Sequence, residues 1–269
     1  KTIQNSRLMS RIMRSAFDLG CLIMQHAEDN ELSQNGMMND GVIATKLGLQ
    51  GIPEVAEKII IERDLSLLED FNCRYHISQI SSSKSLEVIE KKKDQIDFTT
   101  GVSINNLSLN ENDIGDFRTF LKLSPPLRTE EDRQSLIRGI NKDLIEVLVS
   151  DHKPEDEESK RLTFSQAATG ASGIETLLPL SLELFHNNSI KLPKIIKLLT
   201  SNPAKVLKVD KGNLSIGNDA DFCIVDINKP WIVKKEKMIS KSKNTCIEDK
   251  KLQGKVTNTF VKGVELFKL

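Results

Sequence analysis

The apolar and polar positions of the first 150 residues alternate between two patterns. Apolar residues spaced three and four apart predict four helices, over 5–19, 53–71, 84–93 and 130–141. Short apolar runs predict four strands that alternate with these helices, over 21–25, 74–80, 97–103 and 145–149. Strands that alternate with helices in this way are typical of a parallel sheet with crossover helices. The pattern therefore predicts an α/β fold.

The pattern changes in the last part of the chain. Leucine-rich segments over 174–187 and 192–200 predict two further helices. After them, short alternating apolar runs and a turn at Lys262-Gly263 are hairpin signals. We therefore predict two domains, one over 1–205 and a small β-domain over 206–269.

Composition narrows the classes of partner. The chain has 38 Lys+Arg and 38 Asp+Glu, so its formal net charge is zero, and 4% of its residues are aromatic. We therefore expect neither a basic field nor a base-stacking surface for nucleic acid. No apolar run approaches the roughly 20 residues that span a bilayer. These features predict a cytoplasmic protein that binds neither nucleic acid nor membrane.

The four cysteines are far apart in the sequence and include no CxxC pair. They are Cys21, Cys73, Cys223 and Cys246. Cys21 and Cys223 lie in apolar runs that resemble strands. This usage predicts buried, reduced thiols and no disulfide framework.

Two predicted strands end in residues that can carry chemistry. His26 follows the strand over 21–25, and Asp151 follows the strand over 145–149. In barrel enzymes of alternating strands and helices, the catalytic groups lie at the carboxyl ends of the strands. A lone histidine is more often a packed core residue, but the pair of strand ends makes both residues candidates for one site.

A series of short motifs extends along nearly the whole chain, and its order and spacing are specific although each member is weak. It comprises His26-Ala27-Glu28-Asp29, Gly51-Ile52-Pro53, Ala56-Glu57, Arg63-Asp64, Tyr75-His76-Ile77, Pro125-Pro126-Leu127-Arg128, Ser150-Asp151-His152, Gly173-Ile174-Glu175-Thr176, Asn202-Pro203-Ala204, Gly217-Asn218-Asp219-Ala220-Asp221 and Ser240-Lys241-Ser242-Lys243-Asn244-Thr245. In this series the chain resembles the dihydroorotases of the long type, found in bacteria and in multifunctional complexes, within the amidohydrolase superfamily.

The resemblance implies a distorted (β/α)8 barrel that carries a small β-sandwich. The four predicted strands resemble the fifth to eighth barrel strands, so the chain is expected to be the second half of a TIM-like barrel followed by a β-sandwich region. The family's His-x-His motif and its bridging carboxylate belong to the first and fourth strands and are not among these residues. The family reaction is the reversible cyclisation of N-carbamoyl-L-aspartate to dihydroorotate, with zinc, in pyrimidine biosynthesis.

The resemblance also assigns site residues. His26 resembles a zinc ligand, and Asp151 resembles both a ligand and the catalytic proton shuttle. A further family histidine ligand falls on Gln79, whose neutral amide oxygen is a poor substitute for an imidazole nitrogen at zinc. The substrate-binding positions of the family fall on Ser124, where the family has Asn, on Glu155, where it has His, and on Gly170. These departures predict a weakened zinc site, because zinc chemistry needs several imidazole and carboxylate ligands.

Three hypotheses for the function follow from the resemblance. The first is a catalytically impaired or non-catalytic dihydroorotase-like subunit, similar to those that scaffold aspartate transcarbamoylase in some bacteria. The second is an active zinc dihydroorotase completed by an upstream segment that carries the His-x-His motif. The third, another cyclic amidohydrolase such as a hydantoinase, fits the motifs less well. A four-stranded sheet leaves edges unpaired, so we expect an oligomer, with the missing barrel half or aspartate transcarbamoylase as the partner.

Overall fold

A computed structural model of the chain describes residues 2–269. Its helices and strands alternate over the first 150 residues, and the last three strands follow a group of helices. In chain order the elements are α1 (Ser6–Leu19), β1 (Leu22–Gln25), β2 (Met38–Asn39), α2 (Val42–Leu47), β3 (Gly51–Ile52), α3 (Glu54–Phe71), β4 (Arg74–Ile80), α4 (Ser83–Lys92), β5 (Thr99–Ser103), α5 (Ile104–Ser108), α6 (Glu130–Asn141), β6 (Val147–Val149), α7 (Glu157–Lys160), α8 (Leu177–His186), α9 (Leu192–Leu199), α10 (Ser201–Leu207), β7 (Phe222–Ile232), β8 (Lys251–Val261) and β9 (Val264–Lys268).

Four strands form one parallel sheet in the order β1-β4-β5-β6. Helices α3, α4 and α6 lie between successive strands in the chain and pack against one another, α3 on α4 and α4 on α6. The core between the sheet and these helices is apolar, with Ile77, Val102 and Ile89 fully buried. The predicted α/β class with a parallel sheet is confirmed. The second-half-of-a-barrel assignment and the division at residue 205 stay predictions.

Element boundaries agree with the sequence pattern where local signals are strong. Helix α6 covers 130–141 as predicted, and its capping box forms: Thr129 Oγ1 accepts from the Asp132 N–H at 3.1 Å, and Asp132 Oδ2 accepts from the Thr129 N–H at 3.2 Å. Strand β5 begins at Thr99, two residues later than predicted, because Thr99 is its first residue paired with β4. Strand β6 likewise begins at Val147, its first residue paired with β5.

The last strands form a three-stranded antiparallel sheet in the order β7-β8-β9. The turn at Lys262 and Gly263 joins β8 to β9, as the hairpin signals predicted, and both residues have positive φ. Much of this sheet is open to solvent; every residue of β9 is exposed. The predicted β-sandwich stays a prediction.

Burial of the cysteines was predicted correctly for only two of them. All four are free thiols, and Cys73 and Cys246 are buried, but Cys21 and Cys223 are exposed. Cys21 lies between Gly20, which caps the end of α1, and the start of β1, and Cys223 lies on the open sheet. An apolar sequence neighbourhood therefore did not produce burial at either position. No helix within residues 2–269 combines the length and apolar character needed to cross a membrane.

Candidate functional site

The carboxyl edge of the parallel sheet gathers the residues singled out in the sequence. His26 follows β1 directly, Gln79 is the penultimate residue of β4, and Asp151 lies two residues beyond β6. Ser124 comes from the connection between α5 and α6. Because parallel strands end at the same edge, these four residues approach one another although up to 125 positions separate them in the chain.

Gln79 and Asp151 form the central contact of this edge. The Gln79 amide Nε2 donates to Asp151 Oδ1 at 2.8 Å. Burial raises the pKa of the Asp151 carboxyl, and the hydrogen bond from Gln79 and the charges of His26 and Lys153 oppose that rise. Asp151 has φ 47°, in the left-handed region that few residues other than glycine adopt and that is frequent at functional sites.

A β-bulge sets the position of Gln79. The register between β4 and β5 shifts between Ile77 and Ile80, so the segment of β4 that contains Gln79 has one residue more than its partner. Bulges re-aim side chains and are common next to active sites. Gly101 of β5 makes the bulge possible, because a Cβ there would lie 2.4 Å from the Ser78 carbonyl oxygen.

His26 makes its contacts through one ring nitrogen. Its Nε2 lies 3.2 Å from Ser124 Oγ and 3.5 Å from Glu28 Oε2. Burial alone would raise the pKa of the Glu28 carboxyl. The contacts with His26 and Ser33 outweigh the effect of burial, and the net result is a lowered pKa. Sequence reasoning did not single out Glu28, although it belongs to the motif that begins at His26.

Glu155 and Gly170 lie in a second cluster of polar contacts, and Asn244 forms hydrogen bonds with both of them. Asn244 Oδ1 accepts from the Glu155 N–H at 3.4 Å, and Asn244 Nδ2 donates to the Gly170 carbonyl at 3.2 Å. Gly170 has φ 137°, and a Cβ there would lie 2.6 Å from the Lys153 carbonyl oxygen, so the position requires glycine. Glu155 lines a cleft of about 840 Å³ beside this cluster. Asn244 thus links Glu155 to Gly170. Among residues 2–269, no hydrogen bond joins either of these two residues directly to Gln79 or Asp151.

A buried polar network supports the carboxyl end of β4. The Glu57 carboxylate accepts hydrogen bonds from the N–H groups of Ser81 and Ser82 at 3.0 and 3.2 Å. The Arg128 guanidinium donates to Ser81 Oγ at 3.1 Å and to Asn39 Oδ1 at 2.8 Å. These groups fix the turn that follows Gln79. The motifs Ala56-Glu57 and Pro125-Pro126-Leu127-Arg128 pointed to both charged residues, but not to their contact with this turn.

The ligands present for a metal are few. Within the part of the chain that the structure describes, no three His, Cys, Asp or Glu side chains converge on a point where they could hold an ion. His26 and Asp151 remain as possible zinc ligands, and the Gln79 amide N–H, which cannot bind a cation, points at the Asp151 carboxylate. Zinc sites use three or four protein ligands. The described residues therefore do not fit a complete zinc site, and the assignment of His26, Gln79 and Asp151 to a metal stays a prediction.

Comparison with known proteins shows the class of this protein. Residues 2–266 match the model of the amidohydrolase family, so the chain belongs to that family. The solved structure of L-hydantoinase (dihydropyrimidinase) from Arthrobacter aurescens superposes with a TM-score of 0.87 over 98% of this chain and 61% of that one. The identity is 24%, so this likeness shows the fold alone.

Among curated proteins, the chain is similar in sequence to dihydroorotases. A dihydroorotase of Ehrlichia canis is 40% identical over 263 residues, which are 97% of this chain and 59% of that protein. A dihydroorotase of Syntrophus aciditrophicus is 38% identical over 264 residues, 98% of this chain and 62% of that protein. The chain thus spans about three fifths of the length of the curated relatives it matches.

Proposed function

We propose that this chain belongs to a dihydroorotase-like protein whose metal site is weakened, so that it catalyses the cyclisation of N-carbamoyl-L-aspartate slowly or not at all. The observation that carries the proposal is the 2.8 Å hydrogen bond from Gln79 Nε2 to Asp151 Oδ1. Asp151 stands at the position that resembles the family's proton shuttle, and here one of its oxygens is held by an amide. By resemblance, Gln79 occupies the position of a histidine ligand of the family. Its amide oxygen is a weaker ligand for zinc than an imidazole nitrogen.

The contacts of His26 support the same conclusion. Its Nε2 faces both the Glu28 carboxylate and the Ser124 hydroxyl, so the nitrogen has polar partners from the protein itself. Glu155 adds a carboxylate where the family has a histidine that contacts substrate. A negative charge there disfavours an anionic substrate such as N-carbamoyl-L-aspartate.

The test uses the full-length gene product that contains these residues, purified with zinc supplied throughout. Elemental analysis gives the zinc content, and a spectrophotometric assay gives the turnover of dihydroorotate. We expect low zinc content and slow or undetectable turnover for the natural sequence, and a higher zinc content for Gln79→His. Gln79→Asn, which supplies another amide, is the matched control and is expected to gain no zinc.

The opposite result has a clear meaning. Full zinc occupancy together with rapid turnover in the natural sequence would refute the proposal and favour an active zinc dihydroorotase completed by an upstream segment with the His-x-His motif. Hydrolysis of hydantoins in the same assay would favour the hydantoinase hypothesis.

We also propose that the protein works in an assembly. Among the described residues, β1 and β6 are the outer strands of the parallel sheet, each paired on one side, and Met24 of β1 is 54% exposed. Such edges are usually covered. From the resemblance, the partner to test is aspartate transcarbamoylase. Co-elution of the two proteins in size-exclusion chromatography would support that partner, and separate elution of two folded proteins at micromolar concentration would contradict it.

A further inference from the structure

The first residues of the chain lie against the loop that carries His26. This entry segment, Thr2–Gln4, donates a hydrogen bond from Thr2 Oγ1 to the His26 carbonyl at 2.5 Å. Two residues further, Gln4 Nε2 donates to the Glu28 carbonyl at 2.8 Å. The entry segment therefore holds the backbone of both residues whose side chains meet at His26 Nε2.

The entry segment is itself anchored by the ion pair of the partly buried Arg63 with the buried Asp64. Arg63 Nη1 donates to the Gln4 carbonyl at 2.6 Å, and Arg63 Nη2 donates to the Ile3 carbonyl at 2.7 Å. The same guanidinium donates twice to Asp64 Oδ1, from Nε at 2.9 Å and from Nη2 at 2.7 Å. One planar guanidinium thus satisfies two carbonyls and a carboxylate at once, which a lysine ammonium cannot reproduce.

Asp64 connects this anchor to strand β1. Its carboxylate is fully buried, and Oδ2 accepts hydrogen bonds from Tyr75 Oη at 2.6 Å and from Gln25 Nε2. The other side-chain atom of the same amide, Gln25 Oε1, accepts from the N–H of Ile3 at 3.0 Å. Gln25 immediately precedes His26, so the hydrogen bonds form a closed circuit around the point where His26 leaves the strand.

From this circuit we infer that Arg63 and Asp64 are positioning residues that set the orientation of the His26 imidazole through the entry segment and Gln25. Neither side chain touches His26. Their effect passes through backbone groups on both sides of it. The inference rests on the proposed function in treating His26 as part of the site. The inference concerns the orientation of the His26 ring, whereas the proposed function concerns zinc content and turnover. Either of these two proposals can therefore fail without the other.

The test reads the imidazole directly by NMR. In the full-length gene product, the ring signals of the four histidines of this chain can be assigned in a long-range ¹H–¹⁵N spectrum by single His→Gln variants. We expect Arg63→Lys to shift the ring signals of His26 and leave those of His76, His152 and His186 in place. Thr2→Val removes only the hydrogen bond to the His26 carbonyl and leaves the anchor intact, and we expect a smaller shift of His26 alone.

Arg133→Lys is the matched control. Arg133 also forms a fork with a carboxylate, that of Glu130, and also donates to a backbone carbonyl, that of Leu107. It has a similar exposure, 21% against 15% for Arg63, and it belongs to another circuit. We expect no shift of His26 in this variant.

Two results would overturn the inference. One is an unchanged His26 signal in both Arg63→Lys and Thr2→Val. The other is a shift of equal size in all four histidines, or in the Arg133→Lys control, because a general loosening of the fold would then explain the effect. If Arg63→Lys does not fold, the Thr2→Val variant alone decides between these outcomes.

Discussion

Gln79 and Asp151 are joined by a hydrogen bond although β5 lies between their two strands. The side chains meet beyond the carboxyl end of β5, where the bulge in β4 and the left-handed backbone of Asp151 bring them within 2.8 Å. Two local departures from regular backbone thus produce one contact.

The strength of this contact can be measured through stability. We expect Gln79→Leu to lower the free energy of unfolding by about 1 kcal/mol, since it leaves a half-buried carboxylate without its donor. The value lies below the range for fully buried charged groups because solvent reaches Asp151 in part. Urea denaturation of the variant measures it. Asp151→Asn, which keeps hydrogen-bonding capacity at both positions, should cost less, and an equal or larger cost would contradict this account.

Gly101 should be intolerant of any side chain. A Cβ at this position would lie 2.4 Å from the Ser78 carbonyl oxygen, so Gly101→Ala must push β4 and β5 apart at the bulge. We expect a loss of about 1–3 kcal/mol in the free energy of unfolding, the usual cost of overpacking. Gly41→Ala is the control, because its Cβ would meet other atoms at an ordinary 3.6 Å. Similar losses for the two variants in thermal denaturation would show that the close approach at Gly101 is not the cause.

Arg128 should be far more important to stability than an exposed arginine. The residue is 3% exposed, and its guanidinium donates to Ser81, Asn39 and the Ile52 carbonyl. We expect Arg128→Met to cost roughly 3–5 kcal/mol, because it leaves the nearby buried acidic groups and several polar atoms without compensation. Arg161→Met, which removes exposed ion pairs with Glu157 and Glu158, should change the stability by less than about 1 kcal/mol. Comparable midpoints of chemical denaturation for the two variants would refute the prediction.

His76 should make the protein sensitive to acid. Burial, with a smaller effect from the charge of Lys93, lowers its pKa from 6.5 to about 4. In the unfolded chain the imidazole takes up a proton near pH 6.5, whereas in the folded protein it does so only near pH 4. Between these values the unfolded state binds more protons, so stability falls as the pH is lowered, by at most about 1.4 kcal/mol per pH unit.

The variant His76→Gln tests this acid sensitivity. It can keep a hydrogen bond to Thr99 Oγ1, which lies 2.8 Å from His76 Nδ1. We expect its stability, measured by urea denaturation at several pH values, to fall less steeply than that of the natural sequence between pH 6.5 and about 4. The control His152→Gln replaces an exposed imidazole by the same amide and measures the effect of the substitution itself. An unchanged slope in His76→Gln would assign the acid sensitivity to other groups.

The sequence predicted the regular elements better than the contacts of the site. Helix α6 and strand β4 have the predicted bounds because local signals specify them: a capping box begins α6, and Tyr75, Ile77 and Ile80 supply the apolar, strand-forming positions of β4. The pairing of β2 with β3 was missed, since two residues in each strand give no periodic pattern. The α/β class followed from the order of elements, which needs no knowledge of their packing.

The site could be predicted as a set of positions but not as a set of contacts. His26 and Asp151 were found because they follow apolar strands. The approach of Gln79 to Asp151 depends on the bulge and on the left-handed conformation of Asp151, and neither has a clear signal in the local sequence. The meeting of Ser124 with His26 depends on a loop 98 residues away, which only the folded chain brings near.

Asn244 connects the C-terminal region to the loops beyond β6 by hydrogen bonds. Its side chain binds backbone atoms at Glu155 and Gly170, and its own backbone carbonyl accepts from the Ser172 N–H at 3.1 Å. Any mutation that loosens the segment 240–247 would thus release two loops that are distant from it in sequence. Substitutions tolerated elsewhere on the surface should be selected against in that segment.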